Sequence, residues 1–597
     1  MRAIRDLPLA ASLVLVGYAL FFGDGAADRS LPWLAAGALL AILLSAGLIG
    51  VPGGLRVLVP FAALTVWLAV SISWSTLPDR SWVYANRAFV YLLFALLGLW
   101  LAPRTRELAL GFGALLGALA AWTLLGKVVP AVYDYGPPDV TRLRGPVGLW
   151  NQVALLGAFA LPIALWRRRL EGTLLAYLWI LTLVLTESRG GVAVAAVVAV
   201  LWFVFTEERI ASAAVLVAAA LPAAVVAGIA FALPGITSDY QSYHTRWRDG
   251  IVFGALLVGG AIVAALLARL APPEPTPGLR RLVIAAGVVA VAAAIVVGGV
   301  KAGSAWRSFT SSVQVTNTSG RFGSAASNFR WVWWKQAWRA FEHHPLAGTG
   351  AGSFSLTNLR YRTSYLDQTI EPHNLPLQVL SETGVIGLVL FLLAALALLY
   401  RGRGRRGAEL ALALMLPAYL LHALVDVDWD FAAVSVPAFL AAGALSGSPP
   451  ERRTSPFALL AAAGAALFAF GALLLPWLGA RWTSDSEVSA NPAHAIRLAR
   501  RARSVDPLNA EAVWAQALAT GGYSPAVALY ALATRKEPQN PQWWLLKARF
   551  ELSSGCARAA LVDFYRFNAL NPYANPSQGP DDYRRALALV NTGKPRC

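Results

Sequence analysis

Long apolar runs, each close to twenty residues, constrain this chain more than any other feature. A helix needs roughly 20 residues to cross the hydrocarbon core of a bilayer. Hydrophobic residues make up 57% of the 597 residues and charged residues only 14%, which is more apolar surface than a soluble core requires. The sequence therefore predicts an all-α polytopic membrane protein with about 14–15 transmembrane helices. The runs lie near residues 7–22, 31–50, 55–73, 83–102, 108–130, 149–166, 172–187, 191–206, 210–233, 250–271, 282–300, 376–400, 408–424, 430–447 and 456–479.

The distribution of basic residues predicts the orientation of these helices. The net charge of +18 does not indicate a nucleic-acid partner, because the basic residues lie mostly in short loops between apolar runs. With the N-terminus inside, every inside loop is basic, as the positive-inside rule requires. The first run resembles a signal peptide but lacks a small-residue cleavage site, so we interpret it as the first span. This threading places both the long polar interval 301–376 and the tail after about residue 480 outside the membrane.

The tail, residues 481–597, changes to a charged, alanine-rich composition with a helical period. Asp506-Pro507, Glu537-Pro538 and Asn571-Pro572 recur at steps of 31 and 34 residues. This pattern resembles tetratricopeptide repeats, which are stacked helical hairpins. We therefore predict two domains: a transmembrane domain over 1–480, which includes the loop 301–376, and an external repeat domain over 481–597 that could bind a protein partner. An oxidising outer compartment would permit Cys556 and Cys597 to pair, although two cysteines do not establish a disulfide.

The interval 301–376 carries the polar residues that suggest chemistry, since a loop of this length is seldom idle. Arg330 lies four residues before Trp334, so the two share a face if this stretch is helical. A turn rich in glycine follows, at positions where glycine permits backbone angles closed to other residues. His373 and Asn374 then precede an apolar helix that contains Glu382. The glycines of the turn are Gly348, Gly350 and Gly352.

The motifs exclude some chemistries and favour others. No CxxC, HExxH or Walker A pattern is present, so neither zinc chemistry nor ATP use is indicated, and no cofactor is predicted. Arginine suits a phosphate or pyrophosphate because its planar fork binds two oxygens. Histidine suits the removal of a proton from a hydroxyl nucleophile. The candidates on the outer face are Arg80, Arg142, Arg144, Arg189, Arg330, His373, Glu382, His422, Asp426 and Asp428.

Three of these candidates leave alternatives open. His373 either takes the proton of the hydroxyl nucleophile, or caps the start of the following helix or holds the loop through Asn374 and Glu382. Arg189 lies close to membrane depth, where an unpaired charge costs several kcal/mol. It either forms an ion pair with Glu187 at a tight helix–helix turn or faces a water-filled cavity that holds an anionic head group. His422 lies four residues before Asp426, so the two either cooperate in the site or form a buried polar pair.

Three blocks of sequence together resemble the O-antigen ligase and polymerase family over roughly residues 55–447. The first combines R-x-x-x-W-x-x-A from Arg330 with H-P-L-x-G-x-G-x-G-x-F from His344. The second is H-N-x-x-L-Q-x-L-x-E-x-G-x-x-G-L from His373, and the third comprises TESRGG at 186–191 and RLRGPVGLWNQVA at 142–154. The resemblance implies a fold of the GT-C class and an inverting, metal-independent transfer of glycan from undecaprenyl diphosphate. It would take place at the outer face of the bacterial cytoplasmic membrane.

By this resemblance, Arg189 and Arg330 match the diphosphate-binding arginines and His373 matches the candidate base, while Asp426 is a weaker match. Arg144 and Glu382 lie in the matching blocks and are further candidates for substrate binding. The acceptor would be a hydroxyl of a growing polysaccharide, of lipid A-core or of a protein, which the sequence does not distinguish. The implied partners are the lipid-linked donor, this acceptor and membrane lipids, with no nucleic acid.

Two other classes of function compete with an enzyme. A transporter or flippase predicts ionisable residues near mid-membrane and inverted repeats of broken helices. Here the notable charges gather at one face, and the spans show no internal symmetry. A scaffold that only anchors the repeats would need far fewer spans.

Overall fold

The computed structural model describes residues 2–23, 27–132, 141–270, 299–311, 324–575 and 579–592, with the single helical positions 278, 281 and 285. Within these residues the chain is almost entirely helical. One small antiparallel pair joins Val51–Gly53 to Ser448–Arg452. The α-helices up to residue 270 are Arg2–Phe22, Ala27–Leu48, Val59–Val70, Pro78–Gly98, Thr105–Val128, Trp150–Arg167, Arg169–Leu185, Arg189–Phe205, Arg209–Ala230, Pro234–Thr237 and Tyr243–Leu270. The later ones are Arg330–His343, Phe354–Tyr361, Leu375–Arg401, Gly407–Ala413, Met415–His422, Ala432–Ser446, Pro456–Glu487, Pro492–Val505, Ala510–Ala519, Tyr523–Lys536, Pro541–Ser553, Ala557–Leu570 and Pro580–Asn591.

Seven helices among the described residues are long and apolar enough to cross a membrane. This result confirms an all-α, multi-pass membrane protein. Length and composition identify fewer spans than the fifteen runs, because four of the apolar helices have only 10–17 residues and one helical stretch covers two runs. Helices Trp150–Arg167 and Arg169–Leu185, which cover two further runs, are not among the seven either. The run 282–300 lies largely outside the described residues. The seven are Asp28–Leu48, Leu55–Ser73, Pro78–Val128, Arg209–Ala230, Tyr243–Leu270, Leu375–Arg401 and Pro456–Glu487.

The chain divides into two compact units. The first comprises Met1–Val59, Val90–Trp331 and Ala394–Leu460. Its core is built around helix Trp150–Arg167, in which every side chain from Gln152 to Leu165 is buried. Helices Arg169–Leu185 and Arg189–Phe205 pack against it. A helix that is apolar on all sides needs neighbours on all sides, which explains its central place.

The second unit comprises Pro60–Phe89, Val332–Leu393 and Ala461–Cys597. Its six C-terminal helices pack each on the next along the chain. Asp506, Glu537 and Asn571 each follow the end of a helix, so the steps of 31 and 34 residues correspond to every second helix. This spacing agrees with helical hairpins, and their assignment to the tetratricopeptide class stays a prediction.

The two compact units do not follow the predicted domain boundary near residue 480. The second unit contains part of the long loop together with the tail. The functional division into two domains stays a prediction. Cys556 is disulfide-bonded. Cys597, with which it could pair, lies outside the described residues.

Candidate active site

Three arginines line one pocket of about 320 Å³ in the first unit. We call it the arginine pocket. Two carboxylates, Glu187 and Asp426, also line it, so three positive charges face two negative ones. The remaining walls include the start of helix Arg189–Phe205 and the stretch 324–327 just before Arg330. The lining residues are Arg142, Asn151, Glu187, Ser188, Arg189, Gly190, Phe309, Ser324, Ala325, Ala326, Ser327, Arg330, Val425 and Asp426.

Arg189 is the first residue of its helix, and its side chain reaches residues 324–326 of the long loop. The hydroxyl of Ser188 caps this helix by accepting the N–H of Gly191 at 3.2 Å. The guanidinium of Arg189 donates to the carbonyl oxygen of Ala326 at 2.8 Å and to that of Ser324. A helix N-terminus carries a partial positive charge. This end of the pocket therefore combines the charge of an arginine with that of a helix dipole.

Arg330 uses all three nitrogens of its guanidinium to hold the opposite wall. Nε donates to the carbonyl of Val425 at 2.7 Å, and Nη1 donates to that of Ser327 at 3.3 Å. Nη2 donates to Oδ2 of Asp426 at 3.1 Å. Helix Arg330–His343 begins at this residue, which confirms the helix that would place Arg330 and Trp334 on one face. The guanidinium is consequently fixed in direction before any ligand arrives.

Three donors share the carboxylate of Asp426. The amide of Asn151 donates to its Oδ2 at 2.5 Å, beside the bond from Arg330, and the N–H of Val427 donates to its Oδ1 at 3.0 Å. The carboxylate is 3% exposed. Such a bridge between an arginine and an amide orients both side chains toward the pocket.

His422 pairs with Asp428 rather than with Asp426. Its Nδ1 lies 2.8 Å from both oxygens of Asp428, and the amide of Gln152 donates to Oδ1 of Asp428 at 3.1 Å. Both His422 and Asp428 are fully buried. The spacing of four residues does not place His422 and Asp426 on one helix face, because the helix ends at His422. The chain beyond it no longer follows a helical period.

Arg142, two residues from the predicted Arg144, supplies the third arginine of the pocket. It is 2% exposed, its Nε donates to the carbonyl of Thr186 at 2.9 Å, and its guanidinium lies 4.0 Å from the ring centroid of Trp150. Arg144 is not among the described lining residues. The block RLRGPVGLWNQVA therefore identified a segment that lines the pocket, but its spacing did not show which of the two arginines faces the pocket. A contact of Arg144 with substrate stays a prediction.

His373 lies in the second unit, at a strained turn just before helix Leu375–Arg401. Its φ angle is +54°, a left-handed conformation that costs a non-glycine residue of order 1–3 kcal/mol. Its ring stacks on Trp333 with centroids 5.0 Å apart. The helix is capped by Asn374, whose Oδ1 accepts the N–H of Leu377 at 2.9 Å. The imidazole is therefore not needed as a cap.

Glu371, which the sequence did not single out, anchors the same turn. Its carboxylate accepts hydrogen bonds from the hydroxyl of Tyr84 and the amide of Gln378, and it pairs with Arg80 at 3.3 Å. The side chain is 2% exposed. The only sequence signal for Glu371 is its place two residues before the candidate base His373. That signal is weak without the contacts to Tyr84, Gln378 and Arg80.

Glu382 binds backbone in the glycine-rich turn. Its two oxygens accept the N–H groups of Gly352 at 2.8 Å and Phe354 at 3.1 Å. The turn itself has φ angles of +65°, +101° and +72° at Gly348, Gly350 and Gly352, which confirms why glycines stand there. These contacts assign Glu382 a structural part; a contact with substrate stays a prediction.

The described residues contain no group of three or more His, Cys, Asp or Glu side chains that could hold a metal ion. The first unit offers a cationic pocket. The second unit holds His373 against Trp333, at a turn in which Asn374 and Glu371 are hydrogen-bonded. Such groups can bind an anion and accept a proton.

A family model described as O-Antigen ligase matches residues 243–392. The match covers about a quarter of the chain and includes Arg330, His373 and Glu382. Arg142, Arg189 and Asp426 lie outside it. No curated protein matches the chain.

Proposed function

This chain carries an O-antigen ligase domain within a multi-pass membrane protein, and from that premise we propose the reaction. The enzyme transfers or polymerises a glycan linked to undecaprenyl diphosphate onto a hydroxyl acceptor. The reaction takes place at the outer face of the cytoplasmic membrane and inverts the anomeric carbon.

The observation that supports this proposal is the arginine pocket. Arg330 has five N–H groups, and its bonds to described residues use three of them. The other two are available to phosphate oxygens. Arg142 and Arg189 add positive charge to the same walls. A diphosphate presents several anionic oxygens, for which the arginine fork is better suited than a single ammonium group.

In the proposed mechanism His373 takes the proton of the acceptor hydroxyl. The oxygen attacks the anomeric carbon from the face opposite the diphosphate, so a new glycosidic bond forms while the bond to the diphosphate oxygen breaks. The leaving diphosphate keeps the electron pair of the broken bond, and the arginines stabilise its charge. Because arginine supplies this stabilisation, the step as proposed uses no metal ion.

Replacement of His373 tests this function. With purified full-length protein and lipid-linked glycan donor, His373→Ala and His373→Gln should each lower turnover by about 10²- to 10⁴-fold, the usual worth of general-base help. Donor binding should persist because it depends on the arginines. His494→Gln, at an exposed position in helix Pro492–Val505, is the control and should remain active. A His373→Gln variant with near-normal turnover would show that His373 is not the base.

A further inference from the structure

A second pocket, of about 160 Å³, lies within the second unit where the long loop meets the repeat helices. We call it the loop–repeat pocket. The loop contributes His343, His344, Arg360 and Tyr361. The turn before helix Pro541–Ser553 contributes Gln539, and the end of helix Ala557–Leu570 contributes Leu570. A cavity needs about 10–15 Å³ to hold one water molecule, so the space holds roughly ten waters. That volume suits one sugar ring rather than a whole oligosaccharide.

The lining of this pocket has the chemistry of a carbohydrate site with a positive charge. Nη1 of Arg360 donates to Oε1 of Gln539 at 3.2 Å, which joins the loop to the repeat helices. The ring of Tyr361 lies 5.8 Å from that of His343 and offers an aromatic surface. No aspartate or glutamate is among the described lining residues. The charge of Arg360 is therefore not neutralised by a carboxylate in the pocket wall.

The histidines add hydrogen-bonding capacity. Nδ1 of His343 lies 2.7 Å from the carbonyl oxygen of Arg339. Since a carbonyl can only accept, Nδ1 carries the hydrogen, and Nε2 of a neutral ring is left as an acceptor for a sugar hydroxyl. The hydroxyl groups of Thr349 and Thr357 add donors and acceptors to the same wall.

The pocket is supported by a buried polar bond close to Arg360. Arg362 is 2% exposed, and its Nη2 donates to Oδ1 of Asn571 at 2.8 Å. Asn571 is the last of the three periodic positions of the repeat helices. Because a buried arginine must keep its partner, this bond holds the loop and the repeat hairpin together. A site assembled in advance loses less entropy when it binds a ligand.

We propose that the loop–repeat pocket binds one sugar unit of the acceptor glycan and prefers a sugar that carries a carboxylate or a phosphate. That the bound sugar belongs to the acceptor rests on the proposed function, whereas the binding of a sugar in this pocket does not. The repeat domain then contributes directly to the choice of acceptor, through Gln539 and the arginine it orients.

Binding of free sugars to the full-length protein in detergent tests the pocket without lipid donor. The probes are a glucuronic acid–glucose disaccharide, glucose 6-phosphate and the neutral disaccharide cellobiose, each titrated by saturation-transfer NMR. Arg360→Gln removes the charge, and Gln539→Glu places a carboxylate beside it. Each variant should weaken binding of an anionic probe about tenfold, the effect of one charge-assisted hydrogen bond, and leave the affinity for cellobiose unchanged. Arg339→Gln removes an equal charge at an exposed position outside the pocket lining and should change neither.

The outcomes separate the two anions and the two proposals. Preferential binding of the uronic acid identifies a carboxylate sugar, and preferential binding of glucose 6-phosphate identifies a phosphorylated one. Equal affinity for cellobiose and the anionic probes, or anionic binding that survives both variants, would overturn the proposal. If sugars bind as expected while lipid-linked donor is never consumed, the proposed function fails and the sugar site stands.

Discussion

The guanidinium of Arg330 donates hydrogen bonds to one carboxylate and to two backbone carbonyls. These bonds hold the side chain in place in the wall of the arginine pocket. The bonds to Val425 and Ser327 set its direction, while Asp426 balances part of its charge. An ammonium group could neutralise the same carboxylate, but it could not span three acceptors in a plane. The identity of the residue therefore matters as much as its charge.

Arg330→Lys should lower glycan transfer about 10- to 100-fold while the protein still expresses and folds. The charge remains, but the fork is lost, and a hydrogen bond to a charged group is worth roughly 1.5–3 kcal/mol. Steady-state transfer from purified lipid-linked donor measures the effect. Arg339→Lys, exposed on the same helix, is the matched control. Normal transfer by Arg330→Lys would exclude Arg330 as a diphosphate ligand.

At the level of elements, a broken helix and a glycine-rich turn support each other. Helix Leu375–Arg401 departs from helical geometry at Gly384. The carbonyls of Ser381 and Glu382 accept the N–H groups of Thr349 and Gly350 at 3.3 and 2.7 Å. The backbone groups freed by the break are thus satisfied by the turn, as groups near a membrane must be.

Gly350→Ala should disrupt this turn. A Cβ atom at Gly350 would lie 2.2 Å from Oγ and 2.6 Å from Cα of Ser75, and φ is +101° there. The strain alone is of order 1–3 kcal/mol, so we expect a lower melting temperature in detergent and reduced transfer. Gly464→Ala is the control, since nothing lies within 4 Å of its added Cβ and alanine favours a helix. A Gly350→Ala protein as stable as this control would contradict the prediction.

The six C-terminal helices and the turns between them carry buried acids that make their stability depend on pH. Burial, reinforced by the negative charge of Asp79, raises the pKa of Glu537 to about 7 from 4.5. Burial likewise raises the pKa of Asp506 to about 6 and that of Glu551 to about 7. Folding therefore favours the protonated acids. This contribution to stability is complete below pH 4 and is lost as the pH rises through 6 to 7.

Glu537→Gln should raise the melting temperature at pH 8 and flatten its dependence on pH. The amide oxygen of glutamine can still accept the bonds from Asn540 and Trp543, without the cost of a buried charge. For the wild type we expect the free energy of unfolding to be higher at pH 5 than at pH 8 by on the order of 2 kcal/mol. Asp485→Asn, at an exposed position, should leave the profile unchanged. An identical pH profile for Glu537→Gln would show that this acid does not contribute.

For the whole molecule, the orientation in the membrane can be tested by cysteine labelling. Single cysteines at the exposed positions Thr363, Ala490 and Arg403, in a background with Cys556→Ala and Cys597→Ala, would be treated with an impermeant maleimide. Thr363→Cys and Ala490→Cys should react from outside, and Arg403→Cys only after the membrane is opened. Labelling of Ala490→Cys only from the cytoplasmic side would remove one span from the predicted threading.

The sequence by itself determined the features that depend on neighbouring residues. The lengths of the apolar runs predicted the helices, and the period of the tail predicted its hairpins. The glycines at 348, 350 and 352 predicted a turn with backbone angles that are closed to other residues. Each of these follows from local geometry or from the length needed to cross a bilayer. The family resemblance likewise came from short motifs with fixed spacing.

Only the tertiary structure decided which polar side chains meet. Arg189 reaches carbonyls 135 and 137 positions away, and the choice of Arg142 over Arg144 depends on how one loop passes Trp150. His422 contacts Asp428 rather than Asp426 because its helix ends at His422. Glu371, two residues before His373, contacts Tyr84 and Arg80, almost three hundred residues earlier in the chain. Contacts between residues so far apart depend on the packing of many helices, which spacing along the chain does not encode.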